Sequence, residues 1–261
     1  MSSEWPTATN TGPTGTLTVD NRSSVTITTN NTIIENRNFT GTQIAVNPGV
    51  SGVIIRNCQI TISGFWGVDM MGVNCLIEDC RFVGTWGGVA AAVGTSGGGC
   101  IIRRCDISQT SDGLKLNVGD LAEDCYIHDL WVLGESHNDG IQFGTADSIT
   151  VRHCWISSSD TSCILMGGGE SRPPAQDCLI ENNWLQGGGY SFYGPYGASV
   201  TPPGPSSNIQ VINNKFSTAQ HPNGGLYGPN TQWEDGIGNV WAGNVWADGP
   251  NAGQLVAPGY F

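Results

Sequence analysis

DGIQFGTADSITVRHCWISSSDTSC, Asp139 to Cys163, holds one full copy of the unit from which the chain is built. Gly140-Ile141-Gln142-Phe143 alternates apolar and polar, as do Ile149-Thr150-Val151 and Cys154-Trp155-Ile156, with polar turns between them. Three short segments of period two, without a helical stripe, predict one coil of three strands. Each strand buries only one face, so a single coil cannot stand alone. Stacked copies bury a common core.

Working outward, the unit recurs as TIIENRNF (32–39), VIIRNCQI (53–60), CLIEDCRF (75–82), CIIRRCDI (100–107), LAEDCYI (121–127), ITVRHCWI (149–156), CLIENNWL (178–185), QVINNKF (210–216) and a worn VWAGNVW (240–246). The slot filled by Cys58 falls at 37, 58, 80, 105, 125, 154, 183, 214 and 244, in steps of 20 to 31 residues. At about 4.8 Å between neighbouring strands, nine coils make a rod roughly 40 Å long.

The column before that slot reads Asn36, Asn57, Asp79, Arg104, Asp124, His153, Asn182, Asn213, Gly243. Asn, Asp, His and Gly best tolerate the left-handed backbone that a tight bend between two strands requires. Stacked Asn side chains can then hydrogen-bond along the rod. This makes His153 a turn residue rather than a catalyst. The next column, Cys58, Cys80, Cys105, Cys125 and Cys154, points inward as stacked free thiols, small hydrophobes in a core. The nine cysteines are odd in number and lack paired metal-ligand spacing.

Composition fits. Gly 38 and Pro 13 supply turns, and a charged fraction of 12% is about half the usual ~25%. A net charge of -12 opposes nucleic-acid binding, which draws its affinity from Lys and Arg on phosphates. No apolar run is long enough to span a bilayer. MSSEWPTATNTGPTG (1–15) lacks the charged and apolar regions of a signal peptide. The expectation is either a leader already removed or a protein kept in a reducing cytosol.

The repeated coil, the Asn-type ladder and the DG-led strands resemble the right-handed parallel β-helix proteins of the pectin-lyase-like superfamily. WPTATNTG-TGTLT (5–18), HNDGIQF (137–143), NNWLQGGGYSFYG (182–194) and GNVW (243–246) are similar to β-helix proteins of actinobacteria and to minor tail or tailspike proteins of their phages. The resemblance implies an all-β, single-stranded right-handed solenoid of about nine coils. It also implies a virion tail setting with other tail proteins as partners, and a homotrimer; a secreted or cell-surface location is the alternative. Right-handed crossovers are independently favoured. The expected organisation is an N-terminal cap over 1–30, the β-helix over 31–246 and a C-terminal cap or tail over 247–261. GTLTV (15–19) and SVTITT (24–29) are the expected capping strands, with Trp5 and Pro6 covering the end of the core.

Chemistry belongs on one outer face. Aligning GVDM, GVAA, GLKL, GIQF, CILM, YSFY and GLYG gives an outward column Asp69, Ala90, Lys115, Gln142, Ile164, Ser191, Tyr227. Asp112 and Asp139 lie one coil apart, about 5 Å backbone to backbone. With Lys115 and His137 they are the candidate catalytic group, because crowded carboxylates raise one pKa for acid/base work on a sugar. Asp69, Asn138, Gln142, Tyr190, Tyr193, Tyr196, Tyr227 and Trp233 are the candidate binding residues, the rings suited to sugar faces or to a second subunit. The competing reading makes each Asp-Gly a turn, with Asp accepting backbone bonds and Gly supplying unusual dihedrals. No cofactor is called for; Ca²⁺ at Asp112 and Asp139 is the alternative, with two carboxylates few ligands for it. Three readings stand: a tail protein that binds polysaccharide or cell-envelope glycan, a polysaccharide lyase or hydrolase, and a structural interaction protein.

Overall fold

A computed structural model describes residues 4–85, 88–132, 137–167, 173–195 and 205–260. Its regular structure is all strand, in three parallel sheets wound as a right-handed β-helix. Each coil contributes a three-residue strand to sheet C (such as Ile54–Arg56), one to sheet A (Gln59–Ile62) and one to sheet B (Trp66–Met70). Sheets A, B and C hold ten, nine and nine strands among the described residues. No helix there is long and apolar enough to cross a membrane.

The left-handed column is where the sequence puts it. Asn36, Asn57, Asp79, Arg104, Asp124, His153, Asn182 and Asn213 all have φ between 50° and 58°, and Gly243 has 66°. A second such column, five residues earlier, closes the other end of each sheet C strand: Asn31, Gly52, Asn74, Gly99, Gly119, Ser148, Asp177, Asn208 and Gly238. Two left-handed residues bracketing four others, three of them the strand, turn the chain sharply twice and keep these strands short.

Inside, Phe39, Ile60, Phe82, Ile107, Ile127, Ile156, Leu185 and Phe216 stack in one column, each fully buried. Burial of each stabilises by about 1.5–3 kcal/mol. All nine cysteines are free and buried, and Cys58, Cys80, Cys105, Cys125 and Cys154 form the expected inward stack. Beyond Cys154 the slot passes to Asn183, Asn214 and Asn244. Oδ1 of each accepts the main-chain N–H of the coil before, at 2.9–3.0 Å, so the thiol stack gives way to a buried amide spine.

Thr18–Asp20 and Ser24–Ile27 pair with the first full coil as the opening rungs of sheets A and B. Trp5 does not cover the end of the core. The segment 5–14 runs down the side of the rod beside the turn column. Trp5 stacks on His153 at 5.2 Å and meets Trp184 edge-on at 5.7 Å. Gly12 donates to the Arg104 carbonyl at 2.9 Å, and Thr14 exchanges hydrogen bonds with the Asn57 amide. The turn column offers main-chain and amide groups to bind, and stacked aromatic and imidazole rings for the indole. At the other end the chain folds back over the last coils: Trp246 donates to the Gln254 carbonyl, and Trp233 to that of Gly259.

Candidate binding cleft on sheet B

The outward column of sheet B is fixed by strand register. It runs Ala45, Asp69, Gly94, Lys115, Gln142, Leu165, Tyr193, Thr231. Ala90, Ile164, Ser191 and Tyr227 do not belong to it. Ile164 and Ser191 are fully buried, and Tyr227 precedes its strand. The sequence alignment used the leading glycine as its mark, but Gly88 lies ahead of the strand Ala91–Thr95 and is not equivalent to Gly113.

Around this column Phe65, Trp66, Asp69, Gly94, Lys115 and Gln142 line an open cleft of ≈ 400 Å³. Gly94 is bare because a Cβ there would lie 2.5 Å from the Trp66 ring, which reaches over this position. Phe65, 60% exposed, meets Trp66 edge-on at 5.3 Å. Burial raises the Asp69 carboxyl above its ordinary pKa. Farther along the rod, Tyr190 meets Tyr193 edge-on at 5.5 Å and Tyr227 at a tilt at 5.8 Å. From Asp69 to Tyr193 the face rises five strands, about 24 Å.

Asp112 and Asp139 sit at the lip of these strands, with 6% and 2% exposure, and neither lines the cleft. Asp112 pairs with Lys115 Nζ at 2.5 Å and accepts the main-chain N–H of Asp139 at 2.9 Å. Asp139 accepts the Ser162 hydroxyl at 2.6 Å. Burial pushes the Asp139 carboxyl up to about 7, the Ser162 hydrogen bond opposing and the charge of Asp112 adding. Gly113 and Gly140 do not have positive φ; they follow the acids because a side chain would collide with the core. A Cβ on Gly113 would lie 2.4 Å from the Gly140 carbonyl oxygen, and one on Gly140 would lie 2.2 Å from Ile156. Lys115 Nζ also donates to Gln142 Oε1 at 2.6 Å, which ties the two cleft residues together.

The remaining candidates divide. The His137 side chain is 79% exposed, with Nδ1 3.7 Å from an Asp160 oxygen. Asn138 is fully buried and spends its amide on Ser158, Ser159 and the Asp160 N–H, so it shapes the loop from within. Trp233 is buried against Trp241 at 5.4 Å, with its indole N–H on Asp235, and presents no face to a ligand. Tyr196 lies outside the described residues. Trp66 and Phe65 were missed; an FW pair opening a strand is the signal that marks them. Among the described residues no group of three or more His, Cys, Asp or Glu is arranged to hold a metal. The carboxylates considered for Ca²⁺ are engaged by Lys115, Ser162 and a main-chain N–H.

The family described as right handed beta helix region matches residues 91–237. No curated protein and no solved structure matches the chain. The match spans more than half of the sequence and its coils coincide with the three parallel sheets. The chain belongs to the right-handed β-helix family.

Proposed function

We propose that this protein is a glycan-binding rod of a phage virion tail, with the outer face of sheet B as its receptor surface. The observation that carries the binding reading is the cleft itself. The Trp66 indole and an exposed phenyl ring bound one end, an Asp69–Lys115–Gln142 row supplies charged and amide groups, and a tyrosine cluster stands about 24 Å along the rod. Rings that present a face, with amide and charged groups between them, suit the alternating apolar faces and hydroxyls of a sugar chain. With Asp112 and Asp139 withdrawn from the cleft, binding without cleavage fits best. Titration calorimetry with host envelope polysaccharide tests it: Trp66→Ala or Gln142→Ala should weaken binding at least tenfold with an unchanged melting temperature. Equal affinity in both variants would refute it. The tail setting rests on the likeness of residues 5–18, 137–143, 182–194 and 243–246, and tail-assembly genes beside this one are the observation that tests it.

A second reading, a polysaccharide lyase or hydrolase, is favoured by one observation: a lysine 2.5 Å from Asp112, beside an Asp139 that holds its proton up to about pH 7. Release of unsaturated or reducing sugar, lost in Lys115→Met, would establish it.

A further inference from the structure

The outer face of sheet C carries two straight columns. The first residues of its strands are Ile33, Ile54, Leu76, Ile101, Leu121, Thr150, Leu179, Gln210 and Val240, in unbroken register. All are exposed or half-buried, Ile33 by 52% and Val240 by 39%. The third residues of the first seven strands are Glu35, Arg56, Glu78, Arg103, Glu123, Arg152 and Glu181, alternating in sign at every step, and the column ends in Ile212 and Ala242. Each arginine reaches back one coil, Arg56 to Glu35, Arg103 to Glu78 and Arg152 to Glu123, at 2.6–2.7 Å.

We propose that this face binds a second copy of the chain, antiparallel, about a twofold axis between the coils of Arg103 and Glu123. The symmetry follows from the pattern. A twofold axis along the rod would lay the aliphatic column of one copy on the charged column of the other. A twofold axis across the rod lays like column on like column and reverses its order. When that axis passes midway between two coils, an alternating ladder meets its opposite sign over the six central levels here, while at the two outer ones Glu35 meets Ile212. Arg103 then faces Glu123 of the second copy, Glu78 faces Arg152 and Arg56 faces Glu181, while Ile101 meets Leu121. An isologous contact needs a surface that is complementary to itself, and alternation over seven successive coils provides it.

Two further facts fit. Three of the ten basic residues, Arg56, Arg103 and Arg152, stand in this one column against four glutamates, so the face is near neutral in a chain of net charge -12. Elsewhere two copies repel. The face is nine strands tall and about five residues wide between its two left-handed columns, on the order of 700 Å², close to the ~800 Å² per partner of a stable interface. Buried aliphatics flanked by paired charges supply attraction and register together.

Analytical ultracentrifugation of the whole chain at micromolar concentration should give a dimer. Ile101→Lys with Leu121→Lys, on outward side chains, should give a monomer with an unchanged circular dichroism spectrum. Arg103→Glu, which sets Glu against Glu123 of the second copy, should weaken the dimer at least tenfold. Orientation is read by double electron–electron resonance on a nitroxide at Thr29→Cys, an exposed position in the first coil; the native cysteines are buried and stay unlabelled. The two labels lie about seven coils apart in the proposed dimer, about 34 Å. A monomeric or trimeric wild-type chain, or a label separation below about 30 Å, would overturn the proposal.

Discussion

The main-chain N–H of Asp139 donates to Oδ1 of Asp112 at 2.9 Å, so the acid of one coil holds the backbone of the next. This bond gives the two carboxylates different tasks. Asp112 faces the Lys115 amine and the N–H, whereas Asp139, deeper and facing a hydroxyl, is the one that resists ionisation.

A pH dependence follows. The Asp139 carboxyl is held up to about 7 in the folded chain, against about 3.9 when unfolded. Between these values the folded state binds the extra proton, so this residue's contribution is complete below about pH 4 and is lost as pH rises through about 7. The upper bound is on the order of 4 kcal/mol. Asp139→Asn, which cannot ionise but still accepts from Ser162, should therefore gain stability relative to wild type as pH rises from 4 to 8. Urea unfolding across that range checks it; parallel curves for the two proteins would mean that Asp139 is ionised throughout.

The thiols should be silent in the native protein. Burial pushes those of Cys163 and Cys178 up to about 12, and all nine are buried. A thiol reagent at pH 8 should titrate none of the nine until denaturant is added. Prompt labelling of Cys58, Cys80, Cys105, Cys125 or Cys154 would show that the thiol column faces outward.

The amide spine should be worth more than the thiol stack that precedes it. Asn214 accepts from the main chain and amide of Asn183, and donates to the Ile180 carbonyl and to Asn244. Asn214→Ala strands several of these buried groups and should cost about 3 kcal/mol, at the upper end of what one unsatisfied group costs. Cys125→Ala leaves only a small void and should cost about 1 kcal/mol. Equal losses in chemical denaturation would show that water replaces the missing amide.

The bare strip under Trp66 is a lever on the cleft. Only Trp66 ring atoms are the nearest neighbours of a Cβ added at Gly94. Gly94→Ala should therefore lift the ring off the sheet, shift indole fluorescence and weaken glycan binding about tenfold, while stability changes by less than about 1 kcal/mol. Unchanged fluorescence would mean that the backbone gives way instead of the ring.

Much of this was readable in advance, for a physical reason. A solenoid repeats the same local demand at every coil, so the left-handed turn and the inward slot each show as a column of one residue class. The second turn column escaped notice because Gly and Ser148 break its Asn character. Sheet B slipped because the loops before its strands differ in length, so Gly88 and Gly113 are spelled alike but sit differently. Trp5 was assigned to the end of the rod, since a strap along the side has no periodic signature of its own. Asp112 and Asp139 were recognised as a pair, but burial decides their roles, and a linear sequence does not state which carboxyl is closed off. The Glu–Arg alternation was in plain view; it acquires meaning only once those seven residues are known to share a face.

The segment from Trp5 to Thr14 changes how the rod answers to force. Stacked coils are springs in series, each held only by its neighbours, and such a stack can fray from either end. This segment grips the second coil at Asn57 and the region of the sixth to eighth coils at His153, Trp184 and Lys215. It is a tie-rod in parallel with the springs. Tension on the amino terminus is delivered first to the Trp5 contacts, far along the shaft, and the opening coil bears load only after that anchor has let go.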